Sequence, residues 1–144
     1  MAFPDRIERT VELAHPPEKV WAALTTAEGL GAWFGDEAVI DLRPGGSARM
    51  RWSGEGYTAR MRVERVEEPV VFGFTWHIFG LPDDDPRRTY VEFSLEAAGA
   101  GTRLTVTESG FAQLPEDLYR RAYDGNTDGW VKELGELAAC LDAA

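Results

Sequence analysis

The segment that most limits what this chain can become is its last, from Leu114 to Leu141. Trp130, Leu134, Leu137 and Leu141 recur at offsets of four, three and four, which gathers them on one face of a helix with about 3.6 residues per turn. Pro115 suits the first helical turn, where a missing N–H costs nothing, and Glu116 and Asp117 sit where the positive helix end favours carboxylates. A long amphipathic helix of this kind needs an apolar surface to lie on, and the rest of the chain must supply it. Carried backwards, the same face meets Asn126, Tyr123 and Tyr119, polar atoms on largely aromatic bodies that a simple core does not need. Two arrangements satisfy them: hydroxyls at a wet rim, or the lining of a cavity. Gly125 and Gly129 each cost about 1 kcal/mol against Ala in a helix interior. Either close backbone approach or a break at Asp124-Gly125-Asn126 is therefore expected.

The surface for that helix is legible upstream as alternating segments. Arg6 to Leu13 sets Ile7, Arg9, Val11 and Leu13 on one side and acids on the other, as in a half-buried strand. Pro16 and Pro17 then open a short helix that turns Val20, Trp21 and Leu24 inward, and Thr26 caps a second one bearing Leu30, Trp33 and Phe34, ended by Gly35. Strands follow over Glu37–Leu42, Ser47–Trp52 and Tyr57–Glu67, joined by a type II turn at Arg43-Pro44-Gly45-Gly46 and by Ser53-Gly54-Glu55-Gly56. Met61 and Val63 share a face that Val66 does not, which predicts a bulge near Glu64-Arg65. Val70 to Phe79 places Phe72, Phe74 and Trp76 on one wall and Val71, Gly73, Thr75 and His77 on the other. Gly80 to Pro86 reads as a loop. Thr89–Glu96 and Thr102–Ser109 pair across Ala98-Gly99-Ala100-Gly101, with Val91, Phe93 and Leu95 facing in from one strand and Leu104 and Val106 from the other.

Several functions are disfavoured by the same residues. A net charge of -10, from 25 acidic and 15 basic side chains, argues against a nucleic-acid or anionic-membrane surface, and the Arg residues at 49, 51, 60 and 62 read as a solvated outer face. No apolar run approaches the ~18 residues of a membrane span and Met1 to Arg6 show no signal pattern, so membrane insertion is not expected and a cytoplasmic location is. One cysteine, Cys140, and two histidines leave neither a disulfide nor a Cys/His zinc set. His15 reads as a cap or loop residue. The run Asp83-Asp84-Asp85 lacks the spacing of a calcium loop, and Gly45-Gly46 lacks the helix and Lys-Ser/Thr of a phosphate loop. No metal, cofactor or catalytic set is expected. The 44% hydrophobic content, with five Trp, seven Phe and four Tyr, supplies large rings in excess and suits one domain over residues 1–144.

One titratable residue is pointed inward by strand parity: Glu108, which follows Leu104 and Val106 at alternate positions. Beside aromatic walls its carboxyl needs a partner such as an Arg or a hydroxyl. The alternative is that parity ends first and Glu108 meets solvent or caps a loop. No Ser-His-Asp or Cys-His set and no spaced carboxylate pair accompanies it.

Taken in order, strand, two short helices, six strands and a long helix, the chain resembles the helix-grip fold of the START-like or SRPBCC superfamily. More narrowly it resembles the family named for the activator of heat-shock-protein-90 ATPase. The blocks that carry the resemblance are Pro17 to Thr25, Gly31-Ala32-Trp33-Phe34, Asp41 to Gly46, Phe74-Thr75-Trp76, Thr102 to Phe111 and Gly129-Trp130. It implies an α+β fold in which a curved antiparallel sheet wraps the C-terminal helix and leaves a cavity for an apolar or amphipathic small molecule. The expected lining is Trp33, Phe34, Trp52, Phe74, Trp76, Phe93, Tyr119, Tyr123 and Trp130, with Glu108 and Asn126 as polar orienters. Non-enzymatic binding of a small hydrophobic ligand is the leading expectation. A chaperone-regulating or other interaction module, with a chaperone or a second copy as partner, is the next, and a cyclase- or hydratase-like enzyme using Glu108 is the third. Where such proteins often carry His in the strand before the long helix, this chain has Glu108.

Overall fold

The alternating segments become one seven-stranded antiparallel sheet in the order β1-β7-β6-β5-β4-β3-β2. A computed structural model describes residues 5–78, 81–82 and 84–143. The strands are β1 (Arg6–Leu13), β2 (Glu37–Ile40), β3 (Ser47–Trp52), β4 (Tyr57–Glu67), β5 (Val71–His77), β6 (Arg88–Ala98) and β7 (Gly101–Ser109). Helices α1 (Pro17–Thr25) and α2 (Ala27–Trp33) follow β1, and α3 (Glu116–Ala143) closes the chain. The fold is α+β, a curved open sheet gripping a long C-terminal helix.

Turn chemistry sets the registers. Pro44 and Gly45 occupy the central positions of the turn into β3, with Gly45 at φ 85° and the Gly46 N–H donating to the Arg43 carbonyl at 2.8 Å, the geometry of a type II turn. Between β4 and β5 the register shifts from Val63↔Phe74 to Arg65↔Gly73, so Glu64 is the extra residue of a bulge that returns Val66 to the pairing. At Gly73 a Cβ would collide with the Tyr90 ring on β6, so the ring lies over this position only because no side chain stands there.

Four local expectations change. β2 stops at Ile40 rather than Leu42, because the Arg43 N–H turns back to the Asp41 carbonyl at 2.9 Å. α3 is unbroken through Gly125, and neither Gly125 nor Gly129 has another atom within 4 Å of where a Cβ would stand, so close backbone approach does not account for them either. Pro115 lies just outside α3, its carbonyl accepting from the Tyr119 N–H at 2.8 Å. A short 3-10 turn at Phe111–Gln113 precedes the helix and buries Phe111 completely; three residues are too few to show a period. Phe79, Gly80 and Asp83, at the end of the expected fifth strand and in the loop after it, lie outside the described residues, as do Met1 to Pro4.

The core sits between sheet and helix. Val20, Leu24, Leu30, Phe72, Phe74, Val91, Phe93, Leu104 and Val106 are buried from the sheet side and from α1 and α2, and Trp130, Leu134, Leu137 and Leu141 from α3. At its far end α3 is tied to the start of α1: His15 Nε2 lies 2.7 Å from Asp142 Oδ1, and Lys19 Nζ donates to the Leu141 carbonyl at 3.3 Å. Among the described residues no helix is long and apolar enough to cross a membrane.

Candidate functional site

Where α3 passes the ends of β3, β4 and β5 the core does not close. A cleft of about 290 Å³ remains, lined by Phe34, Trp52, Glu55, Tyr57, Trp76, His77, Arg121, Gly125, Asn126, Gly129, Trp130, Lys132 and Glu133. Its floor is aromatic. Phe34, at the C-terminal end of α2, lies 5.6 Å from Trp130 and 5.9 Å from Trp76, with Trp76 and Trp130 5.9 Å apart and the three planes within 10° to 26° of one another. Trp52 meets Phe34 edge-on at 5.3 Å and lies 5.7 Å from Tyr57. The α3 wall is low because Gly125 and Gly129 present no side chain. With Glu133 they stand at i, i+4 and i+8 along one side of the helix. Exposed Glu55, Arg121 and Lys132 mark the mouth.

Behind the floor lies Glu108, fully buried on β7. Its Oε1 accepts from Trp130 Nε1 at 2.9 Å and Asn126 Nδ2 at 3.0 Å, and its Oε2 from Trp76 Nε1 at 2.9 Å, Thr89 Oγ1 at 2.5 Å and Asn126 Nδ2 at 3.1 Å. Donors from β5, β6 and α3 thus converge on one carboxyl without a cation among them, which is how the group is buried beside aromatic rings. Two of the indoles that line the cleft, Trp76 and Trp130, are thus fixed from behind.

Polar groups in the cleft divide by depth. His77 is buried, with Nε2 3.0 Å from the Tyr57 hydroxyl. Burial pushes the Glu133 carboxyl up to about 7, with the Glu136 carboxylate adding to the rise and Lys132 and the Trp52 side chain opposing it. Glu133 Oε2 is shielded from solvent and has no hydrogen-bond partner.

Of the residues expected from sequence, Phe34, Trp52, Trp76, Asn126 and Trp130 meet in the cleft. Trp33, Phe74 and Phe93 are core residues outside it, Trp33 donating from Nε1 to the Ala23 carbonyl at 2.7 Å. Tyr119 and Tyr123 stack on each other at 5.3 Å farther down α3, with the Tyr123 hydroxyl donating to the Arg6 carbonyl at 3.1 Å. Glu55, Tyr57, His77, Arg121, Lys132 and Glu133 also line the cleft. Strand parity assigns His77 to the face opposite Trp76, but it is the last residue of β5, where parity stops. Glu133 flanks the apolar stripe of α3 and reads as solvent-facing. Gly125 and Gly129, with Asn126 on the buried face, are the signals in the sequence that something lies beside this stretch of helix.

A family model described as "Activator of Hsp90 ATPase homolog 1-like protein" matches residues 14–142. The chain belongs to that family. Among solved structures it is similar to MLL2253 from Mesorhizobium loti, at 28% identity and a TM-score of 0.82, covering 96% of this chain and 98% of that one. It is also similar to DynU16, from the dynemicin biosynthetic locus, at 25% identity and a TM-score of 0.80, covering 97% of this chain and 48% of that one. The solution structure of an Aha1 dimer from Colwellia psychrerythraea shares the fold at 19% identity and a TM-score of 0.76, covering 94% of this chain and 95% of that one. No functionally curated protein matches. Membership of the family accounts for the sheet and its grip on α3.

Proposed function

We propose that this protein binds a small amphipathic molecule in the cleft between the ends of β3–β5 and the middle of α3, without chemical transformation. The observation that carries this reading is the cleft itself. A volume of about 290 Å³ stands near the lower end of ligand sites, roughly 300 Å³, and an aromatic floor with a few polar groups at depth is the composition such sites have. In this reading Phe34, Trp52, Trp76 and Trp130 contact the apolar body. Asn126 and Glu108 hold the floor in place, and Trp33, Phe74 and Phe93 support it from the core. Both oxygens of Glu108 are occupied, which suits a fixed support better than a proton-transfer group.

The interaction-module reading has less behind it. Among the described residues the exposed large apolar side chains are Val39, Val70 and Val131, which stand on β2, in the turn before β5 and on α3. They do not form one element's apolar face of the kind a stable interface uses.

Native mass spectrometry of the protein purified from its own host tests the ligand reading. A co-purifying small molecule is expected, and it should be absent from Gly129→Phe, whose added ring fills the cleft. A bare protein mass from the host, together with no uptake of any small aromatic compound by calorimetry, would remove this reading.

A further inference from the structure

The cleft has a chemical polarity of its own. Its cations, Arg121 and Lys132, are exposed at the mouth, where solvent screens them and long side chains lose entropy on being held. The polar groups withdrawn from water are Glu133, His77 and the Tyr57 hydroxyl beside it. The Trp52 indole serves the Glu133 carboxyl, but Oε2 is a buried oxygen with no hydrogen-bond partner, which carries a desolvation cost at that atom. The terminal torsion of a glutamate is broad, so a turn of the carboxyl brings either oxygen to the cleft that Glu133 already lines. The cleft it shares is lined by Trp52, Trp76 and Trp130, rings whose faces attract positive charge, in a protein whose net charge of -10 draws cations toward it. Gly129 and Gly125, about one and two turns before Glu133, leave the path along α3 to that carboxylate clear.

Resting on the reading of the cleft as a ligand site, we propose that its ligand class is small organic cations: a one- or two-ring apolar body bearing a protonated nitrogen that pairs with Glu133 while its rings lie against Trp52 and Trp76. The nitrogen supplies the donor that Oε2 lacks and the aromatic floor takes the rest. An anionic ligand of the same shape would find only solvent-exposed Arg121 and Lys132 to pair with, and would bring its charge against Glu133 and Glu55.

Isothermal titration with three isosteric probes, naphthylmethylammonium, naphthylmethanol and naphthoate, tests this above pH 7. The cation is expected to bind about tenfold more tightly than the alcohol, and naphthoate most weakly. In Glu133→Gln the cation's advantage over the alcohol should fall to about twofold or less. Equal affinities for all three probes, or naphthoate binding best, would overturn the cation assignment and leave the cleft as a ligand site. Failure of all three to bind would overturn both. The ranking in the unsubstituted protein decides the matter even if Glu133→Gln folds poorly.

Discussion

Two carboxyl groups separated by one layer of indoles behave in opposite ways. Glu108 is buried and fully bonded; Glu133 is part-buried and lacks a partner for one oxygen. For Glu133 the sign of the pH dependence follows from the direction of its shift. The folded state keeps its proton up to about 7, whereas the unfolded chain releases it near 4.5. The unfolded state therefore binds fewer protons in that window, and stability falls as pH rises through it. Glu136 and Lys132 on α3, Glu55 in the β3–β4 turn, and Tyr57, His77 and Arg121 around the cleft are the polar and charged groups that face it. Replacing Glu133 with Gln should leave the melting temperature unchanged below pH 4.5 and raise it above pH 7, a difference that thermal melts at the two pH values will measure. For Glu108 the expectation is a loss. Glu108→Ala strands the N–H groups of Trp130 and Asn126, whereas Trp76 Nε1 keeps the Thr89 hydroxyl as an acceptor at 3.0 Å; at about 1–3 kcal/mol for each buried donor, urea denaturation should show at least about 2 kcal/mol less stability.

Helix α3 separates its two tasks along its length. From Trp130 to Leu141 its apolar positions close the core; from Gly125 to Glu133 its other side borders the cleft. Gly125, Gly129 and Gly135 all have open space where a Cβ would go, but only the first two face the cleft. Gly135→Ala should gain about 0.5–1 kcal/mol of stability and leave probe binding unchanged. Gly129→Ala should gain similarly in chemical denaturation and weaken binding of the same naphthyl probes by calorimetry. Equal binding by the two variants would show that the low wall does not matter. The apolar stripe of α3 and the parity of β7 were legible because period and alternation persist over many residues, and together they place Trp130 and Glu108 inward. The cleft was harder to read because its residues come from element ends: Phe34 caps α2, Trp52 ends β3, Tyr57 begins β4 and His77 ends β5. At an end the repeat no longer constrains direction, and only the tertiary fold decides what a side chain meets.

Across the whole molecule the sheet is held by pairings distant in sequence. β1 joins β7 with Ile7 opposite Glu108, while β2 and β3 close the other edge through short local turns. β6 lies between β5 and β7, paired on both sides from Tyr90 to Ser94. Such a sheet opens from its edges. Hydrogen exchange should therefore find the amides of β6 and the inner sides of β5 and β7 the slowest, and those of the four-residue edge strand β2 the fastest. Uniform protection across the sheet would contradict that order.

Asn126 and Trp130 both hang from Glu108, so α3 is moored to β7 at the turn that forms the wall of the cleft. Lifting the helix to admit a molecule would sever those bonds together, whereas swinging Glu55, Arg121 and Lys132 at the mouth disturbs only exposed side chains. Such rotamers exchange in picoseconds to nanoseconds. If the cleft holds the proposed ligand, residence time there would be governed by the grip of the floor on its occupant.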